Sequence, residues 1–160
     1  MVPARRDQSS DLAARFLDLI ELDFFLVALP YTLLDQQVLD REFPRCVEKG
    51  VGVVIGAVFA SGILATGAVQ GAHYAYAPAT PEMLANVARI EAVCARHGVP
   101  LAASALQFPL GRPSVASVIP GGLAPEHVRQ NVAAFRHPIP SALWAGLKQE
   151  GPPRADAPTP

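Results

Sequence analysis

"SVASVIPGG", residues 114–122, is a short apolar run that stops on Pro120-Gly121-Gly122, and "LAPEHVRQN", residues 123–131, follows at once as the start of a helix. A run rich in Val and Ile with no polar alternation reads as a strand covered on both faces. Two glycines leave the turn without side chains, so its N–H groups stay open to close approach. The helix behind it adds unpaired N–H groups and a favourable dipole. Strand, glycine turn and helix start in direct succession predict one βα unit of a parallel sheet.

The same order recurs towards the amino terminus. "FFLVAL", residues 24–29, and "VGVVIGAV", residues 51–58, are continuous apolar runs of the two-sided kind. Between them Val38, Leu39, Phe43, Cys46 and Val47 fall at helical spacing, with Pro44 starting a fresh turn and Lys49-Gly50 closing the helix. A Gly- and Ala-rich loop over 60–79 leads to Thr80-Pro81-Glu82, which supplies a cap, a first-turn proline and an acid at the positive end of the dipole. Met83, Leu84, Val87, Ile90 and Cys94 form the apolar stripe of that helix, and Gly98 ends it. "VPLAASA", residues 99–105, reads as a further strand and "LQFPLGR", residues 106–112, as a short helix. Ahead of everything, Ser10 caps a helix whose stripe is Leu12, Phe16, Leu19 and Ile20. Trp144 in "SALWAGLKQEG" packs a final helix, and "GPPRADAPTP", residues 151–160, reads as an unstructured tail. Four strand-then-helix units in series predict α/β architecture with right-handed crossovers.

Composition narrows the function. The chain has 160 residues, 51% apolar and 17% charged, enough for one domain with a real core. A net charge of −1 with scattered Lys and Arg leaves no footprint for nucleic acid. Cys46 and Cys94 sit in helical segments as buried thiols, with no metal or disulfide pattern. The sequence offers neither a basic region followed by an apolar leader nor an uninterrupted apolar stretch of membrane length, so a cytoplasmic protein is expected. No G-x-G-x-x-G follows the first strand, which argues against a Rossmann domain and for part of an eight-stranded (β/α) barrel.

"YTLLDQ" at 31–36, "GAVFASGIL" at 56–64, "LQFPLGRPSVASVIPG" at 106–121 and "APEHVRQN" at 124–131 occur in an order that resembles the carboxyl half of the aldo/keto reductases. The likeness is greatest to the D-threo-aldose (L-fucose) and pyridoxal dehydrogenase type, over about residues 11–160. It implies an incomplete (β/α)8 TIM barrel spanning 1–150 that binds a nicotinamide dinucleotide in extended form. By that resemblance Gly121, Gly122 and Leu123 line the ribose-phosphate pocket, and His127, Gln130 and Asn131 face the adenine. Ala57, Phe59, Ser61 and Gly62 contact nicotinamide or pyrophosphate. Gly56 replaces the usual stacking aromatic, for which Phe59 substitutes, and Ala28 stands where many members carry Gln. Gly121, Gly122 and His127 replace the cations that suit a 2′-phosphate, so NAD is expected over NADP.

The family's Asp, Tyr, Lys and His map to no position here, so no catalytic residue is assigned. The "HYAY" loop with His73, Tyr74 and Tyr76 reads as a lid or packed turn. Asp35 and His97 read as helix-end residues. The expected function is the cofactor-binding half of a sugar or alcohol dehydrogenase, inactive alone; the rival is a non-catalytic nucleotide-binding or interaction module. Half a barrel leaves exposed strand edges, and three arrangements answer this: truncation, self-association, or pairing with an amino-terminal half. The apolar inward positions favour truncation.

Overall fold

The computed structural model describes residues 15–160. The cap at Ser10 and the stripe position Leu12 lie outside the described residues. Helix α1, residues 15–19, meets the body through Leu17, while Phe16, Leu19 and Ile20 face solvent instead of forming the expected buried stripe. Asp18 sets its orientation by pairing with Arg45, and Lys49 lies 3.7 Å from the same carboxylate.

Three strands build the main sheet: β1 (Phe24–Ala28), β2 (Gly52–Gly56) and β5 (Val115–Ile119), all parallel in the order β1-β2-β5. Phe24 pairs with Gly52 and Ala28 with Gly56, while β5 joins β2 through a register shift at Val53/Val54 that brings Ile119 opposite Gly56. The three carboxyl ends are therefore level. Between the strands run α2 (Glu42–Glu48), α3 (Ile63–Thr66), α4 (Pro81–Arg96) and α5 (Leu101–Gln107), and after β5 come α6 (Pro125–Arg136) and α7 (Ser141–Glu150). A small antiparallel pair, β3 (His73–Tyr74) with β4 (Ala77–Pro78), stands in the long loop.

One expected strand is a helix. Residues 101–107 of "VPLAASA" and its continuation form α5, so three strands rather than four make the sheet among the described residues. Pro100, at φ −61°, occupies the helix-start position, and after Val99 the segment holds Leu, Ala, Ser and Gln but no β-branched residue. The Ser104 hydroxyl donates to the Leu101 carbonyl at 2.8 Å and meets the Cys94 sulfur at 3.2 Å, satisfying it inside the α4/α5 contact. β1 differs too. Its burial alternates, with Phe24 60% and Leu26 55% exposed, because among the described residues nothing lies across that face. Val47 also points outward.

Other local expectations hold. Thr80 accepts a hydrogen bond from the Met83 N–H at 3.2 Å, Pro81 opens α4, and Gly98 at φ +65° follows its end. Asp35 accepts from the Gln37 N–H at 3.1 Å. Residues 151–160 are not a loose end: Ala157 is buried, the Gln36 side chain accepts from the Arg154 N–H at 3.0 Å, and Arg154 pairs with Asp40 and Asp156. The Arg154 guanidinium holds the Asp156 carboxyl below its ordinary range. Prolines stiffen this segment and lower the entropy lost in docking it, which composition alone does not reveal.

The core centres on rings. Tyr31 lies edge-on to Phe43 at 4.8 Å between centroids and 5.3 Å from Phe108, which is 6.4 Å from Trp144. Burial pushes the Tyr31 phenol up to about 12, with Arg112 acting weakly the other way, and its hydroxyl has no hydrogen-bond partner among the described residues. A pKa raised on folding gives stability that is whole below the unfolded value of 10.0 and is lost as pH climbs through the folded value. Between those limits the wild-type chain is expected to lose roughly 2 kcal/mol more than Tyr31→Phe, read as the difference between their urea midpoints across the pH range. At neutral pH the variant, freed of an orphaned hydroxyl, matches or exceeds wild type.

Candidate functional site

Level carboxyl ends place three turns side by side: Leu29 after β1, residues 57–62 after β2 and Gly121 after β5. Between them opens a cleft of about 540 Å³, lined by Leu29, Ala57, Val58, Phe59, Ala60, Ser61, Gly62, His73, Tyr76 and Gly121. Its walls are apolar with a hydroxyl, an imidazole and a phenol, and no Asp, Glu, Lys or Arg lines it. The groove left at the carboxyl ends of parallel strands is where such sheets receive ligands, because the turns there vary without disturbing the core.

Backbone strain is concentrated in this cleft. Six non-glycine residues among those described have left-handed backbone, and five of them, Leu29 (φ 78°), Ala57 (53°), Ala60 (48°), Ser61 (62°) and Tyr76 (66°), line it. Each costs on the order of 1–2 kcal/mol relative to an ordinary conformation. The reward is a sharp path: Ala60 N–H reaches Ala57 O at 2.8 Å and Gly62 N–H reaches Phe59 O at 2.9 Å, folding 57–62 into a shallow cup. A Cβ built on Gly62 or Gly121 meets no atom within 4 Å, so both backbones border open space into which a ligand fits closely.

Of the residues assigned from the sequence, Ala57, Phe59, Ser61, Gly62 and Gly121 come together in the lining. Gly122, Leu123, His127, Gln130 and Asn131 stand beside it on the turn and the first turns of α6. His127 and Asn131 hold that turn: His127 Nδ1 accepts from the Leu123 N–H and Asn131 Nδ2 donates to the Gly121 carbonyl, each at 3.1 Å. Gln107 Nε2 donates to Ala134 O and His137 O, both at 2.8 Å, tying the far end of α6 to α5. Leu29 entered the lining without a sequence signal, since nothing in "VALPY" announces a left-handed leucine. His73 and Tyr76 were visible as the unusual residues of the loop, and the β3–β4 turn brings both to the cleft mouth.

Chemically the cleft offers apolar walls and the side-chain-free backbones of Gly62 and Gly121, and the twelve-residue α6 starts four residues after Gly121. These suit an extended ligand with aromatic ends and an anionic middle. Among the described residues no group of His, Cys, Asp and Glu is placed to hold a metal ion.

A parallel βα sheet with a cleft at the level carboxyl ends of its strands, and a glycine turn between the last strand and its helix, makes this an α/β protein with the strand-then-helix order found in TIM barrels. The chain belongs to the aldo/keto reductase family, whose model matches residues 10–149. It is 44% identical over 138 residues to the pyridoxal 4-dehydrogenase of Microbacterium luteolum, covering 84% of this chain and 40% of that protein. It is 38% identical over 141 residues to the D-threo-aldose 1-dehydrogenase of a Pseudomonas species, covering 88% and 43%. The chain therefore spans less than half the length of these relatives. Among solved structures, the holo form of aldo-keto reductase AKR11C1 from Bacillus halodurans superposes with a TM-score of 0.63 at 22% identity, over 89% of this chain and 47% of that one. The α/β fold is similar to the part of the aldo-keto reductase barrel that the chain covers.

Proposed function

We propose that this chain supplies the dinucleotide-seating rim of an NAD-preferring aldo/keto reductase and does not turn over substrate alone. The observation that carries the reading is the convergence of Ala57, Phe59, Ser61, Gly62 and Gly121 in one strained cleft at level strand ends. The residues present fit an extended dinucleotide: the side-chain-free backbones of Gly62 and Gly121 border open space and let its pyrophosphate approach closely, and Phe59 gives a flat face. Gly122, Leu123, His127, Gln130 and Asn131, on the turn beside the cleft, form the adenosine end. When bound, such a cofactor supplies hydride transfer, while the chain's own part is to seat it and exclude water. The substrate, an aldose or a small alcohol or aldehyde, requires acid–base groups that this chain lacks at matching positions.

Selection against NADP follows from charge. No Lys or Arg stands at position 121, 122 or 127, and Arg129 is engaged by Glu126 at 3.1 Å. Free, buried thiols at Cys46 and Cys94 accord with a cytoplasmic location, and no described helix is long and apolar enough to cross a membrane. The rival reading, a non-catalytic nucleotide-binding module, draws on the lack of any Asp, Glu, Lys or Arg in the lining. Calorimetric titration of the purified chain tests the first: NAD is expected to bind at least tenfold more tightly than NADP. Equal affinities would overturn the preference, and no binding of either would overturn the seat. Formation of NADH from an aldose by the purified chain would refute the claim that it is inactive alone.

A further inference from the structure

We propose that the open edges of the main sheet, with the apolar stripe of α6, form an interface between two copies of this chain. Among the described residues β1 and β5 each pair only with β2, so each leaves one edge of N–H and C=O groups unpaired. Exposed edges are ordinarily guarded by charge or proline. Neither "FFLVA" nor "VASVI" holds either.

The two edges match each other. Both strands are five residues long and point the same way, so β1 of one copy continues the parallel sheet beside β5 of the other. A two-fold axis along the strands makes both junctions identical and closes the assembly at two copies instead of propagating a fibre. The side chains agree with this. Phe24, Leu26 and Ile119 are more than half exposed at the two edge strands. On α6, the helix that follows β5, no residue is buried, and Val128, Val132 and Phe135 repeat at i, i+4 and i+7 as an uncovered stripe. α1, which precedes β1, leaves Phe16, Leu19 and Ile20 uncovered at the opposite end. Ring order sets α6 of one copy beside α1 of the next, so each junction covers a stripe as well as an edge. About 100 Å² from each half-exposed aromatic or aliphatic side chain, with the edges themselves, reaches the several hundred Å² per partner that specific interfaces bury. A net charge of −1 leaves little repulsion between copies.

The test is sedimentation velocity of the full chain at low and high micromolar concentration, without nucleotide. A single species of twice the chain mass is expected, and Leu26→Asp and Val132→Asp should each return it to the monomer with an unchanged far-ultraviolet circular dichroism spectrum. Both positions are about half exposed, so neither change strikes the core. A monomer at every concentration, an open-ended series of larger species, or a dimer indifferent to both substitutions overturns the proposal. So does displacement of the dimer by an added amino-terminal aldo/keto reductase segment in a one-to-one complex. None of these outcomes depends on NAD binding, so the seat at Gly121 is tested separately.

Discussion

Gly121→Asp is expected to weaken NAD binding by at least a hundredfold while the chain keeps its fold. Gly121 lines the cleft, its backbone is outside the left-handed region, and a Cβ there meets nothing within 4 Å, so a side chain enters open space without strain. The carboxylate then stands where the proposed pyrophosphate lies. Two like charges about 4 Å apart repel by ~1–4 kcal/mol depending on the local dielectric, and a diphosphate presents two. Gly121→Ala separates charge from bulk and should bind NAD within a few-fold of wild type. Raising the salt concentration should restore part of the loss in the Asp variant, because the repulsion is screened. Titration calorimetry reads all three. Unaltered affinity in the Asp variant would remove Gly121 from the seat, and equal losses in Ala and Asp would replace the electrostatic account with a steric one.

Phe108→Ala is expected to cost about 3–5 kcal/mol, a large part of the margin of an ordinary domain. Phe108 is fully buried and joins layers distant in sequence: it meets Tyr31, which follows β1, and Trp144 on α7. Removing its ring opens a cavity between rings that rest on one another, and neighbouring backbone cannot collapse into it without dragging the turn that leads into β5. Leu123→Ala, at a side chain 99% exposed, should stay within ~0.5 kcal/mol. Urea unfolding followed by tryptophan fluorescence checks both, since Trp144 is the chain's single tryptophan. Similar midpoints for the two variants would show that the ring cluster is not the core.

Much of the fold could be read from local pattern. The runs at 24–28, 52–56 and 115–119 are strands, and caps and stops at Thr80, Pro81 and Gly98 mark α4. These signals act within one helical turn or along one strand, so they survive in sequence. The misread segment, residues 101–107, is apolar and short, and such a run has no period that separates strand from buried helix. Pro100 was the available cue. The burial of Ala157 and the outward faces of Phe24 and Leu26 had no local signature at all, because each depends on what lies opposite.

The candidate site divides the same way. The sequence placed glycine-bearing turns after the runs at 52–56 and 115–119, and it was the resemblance to a family that pointed to residues 57–62 and 121 within them. Only the tertiary structure decided that these turns stand level, that Leu29, His73 and Tyr76 join them, and that His127 and Asn131 spend their polar groups on holding a turn. Strand register and a left-handed leucine are settled by contacts between residues far apart in the chain, where no single stretch carries the energy that chooses them.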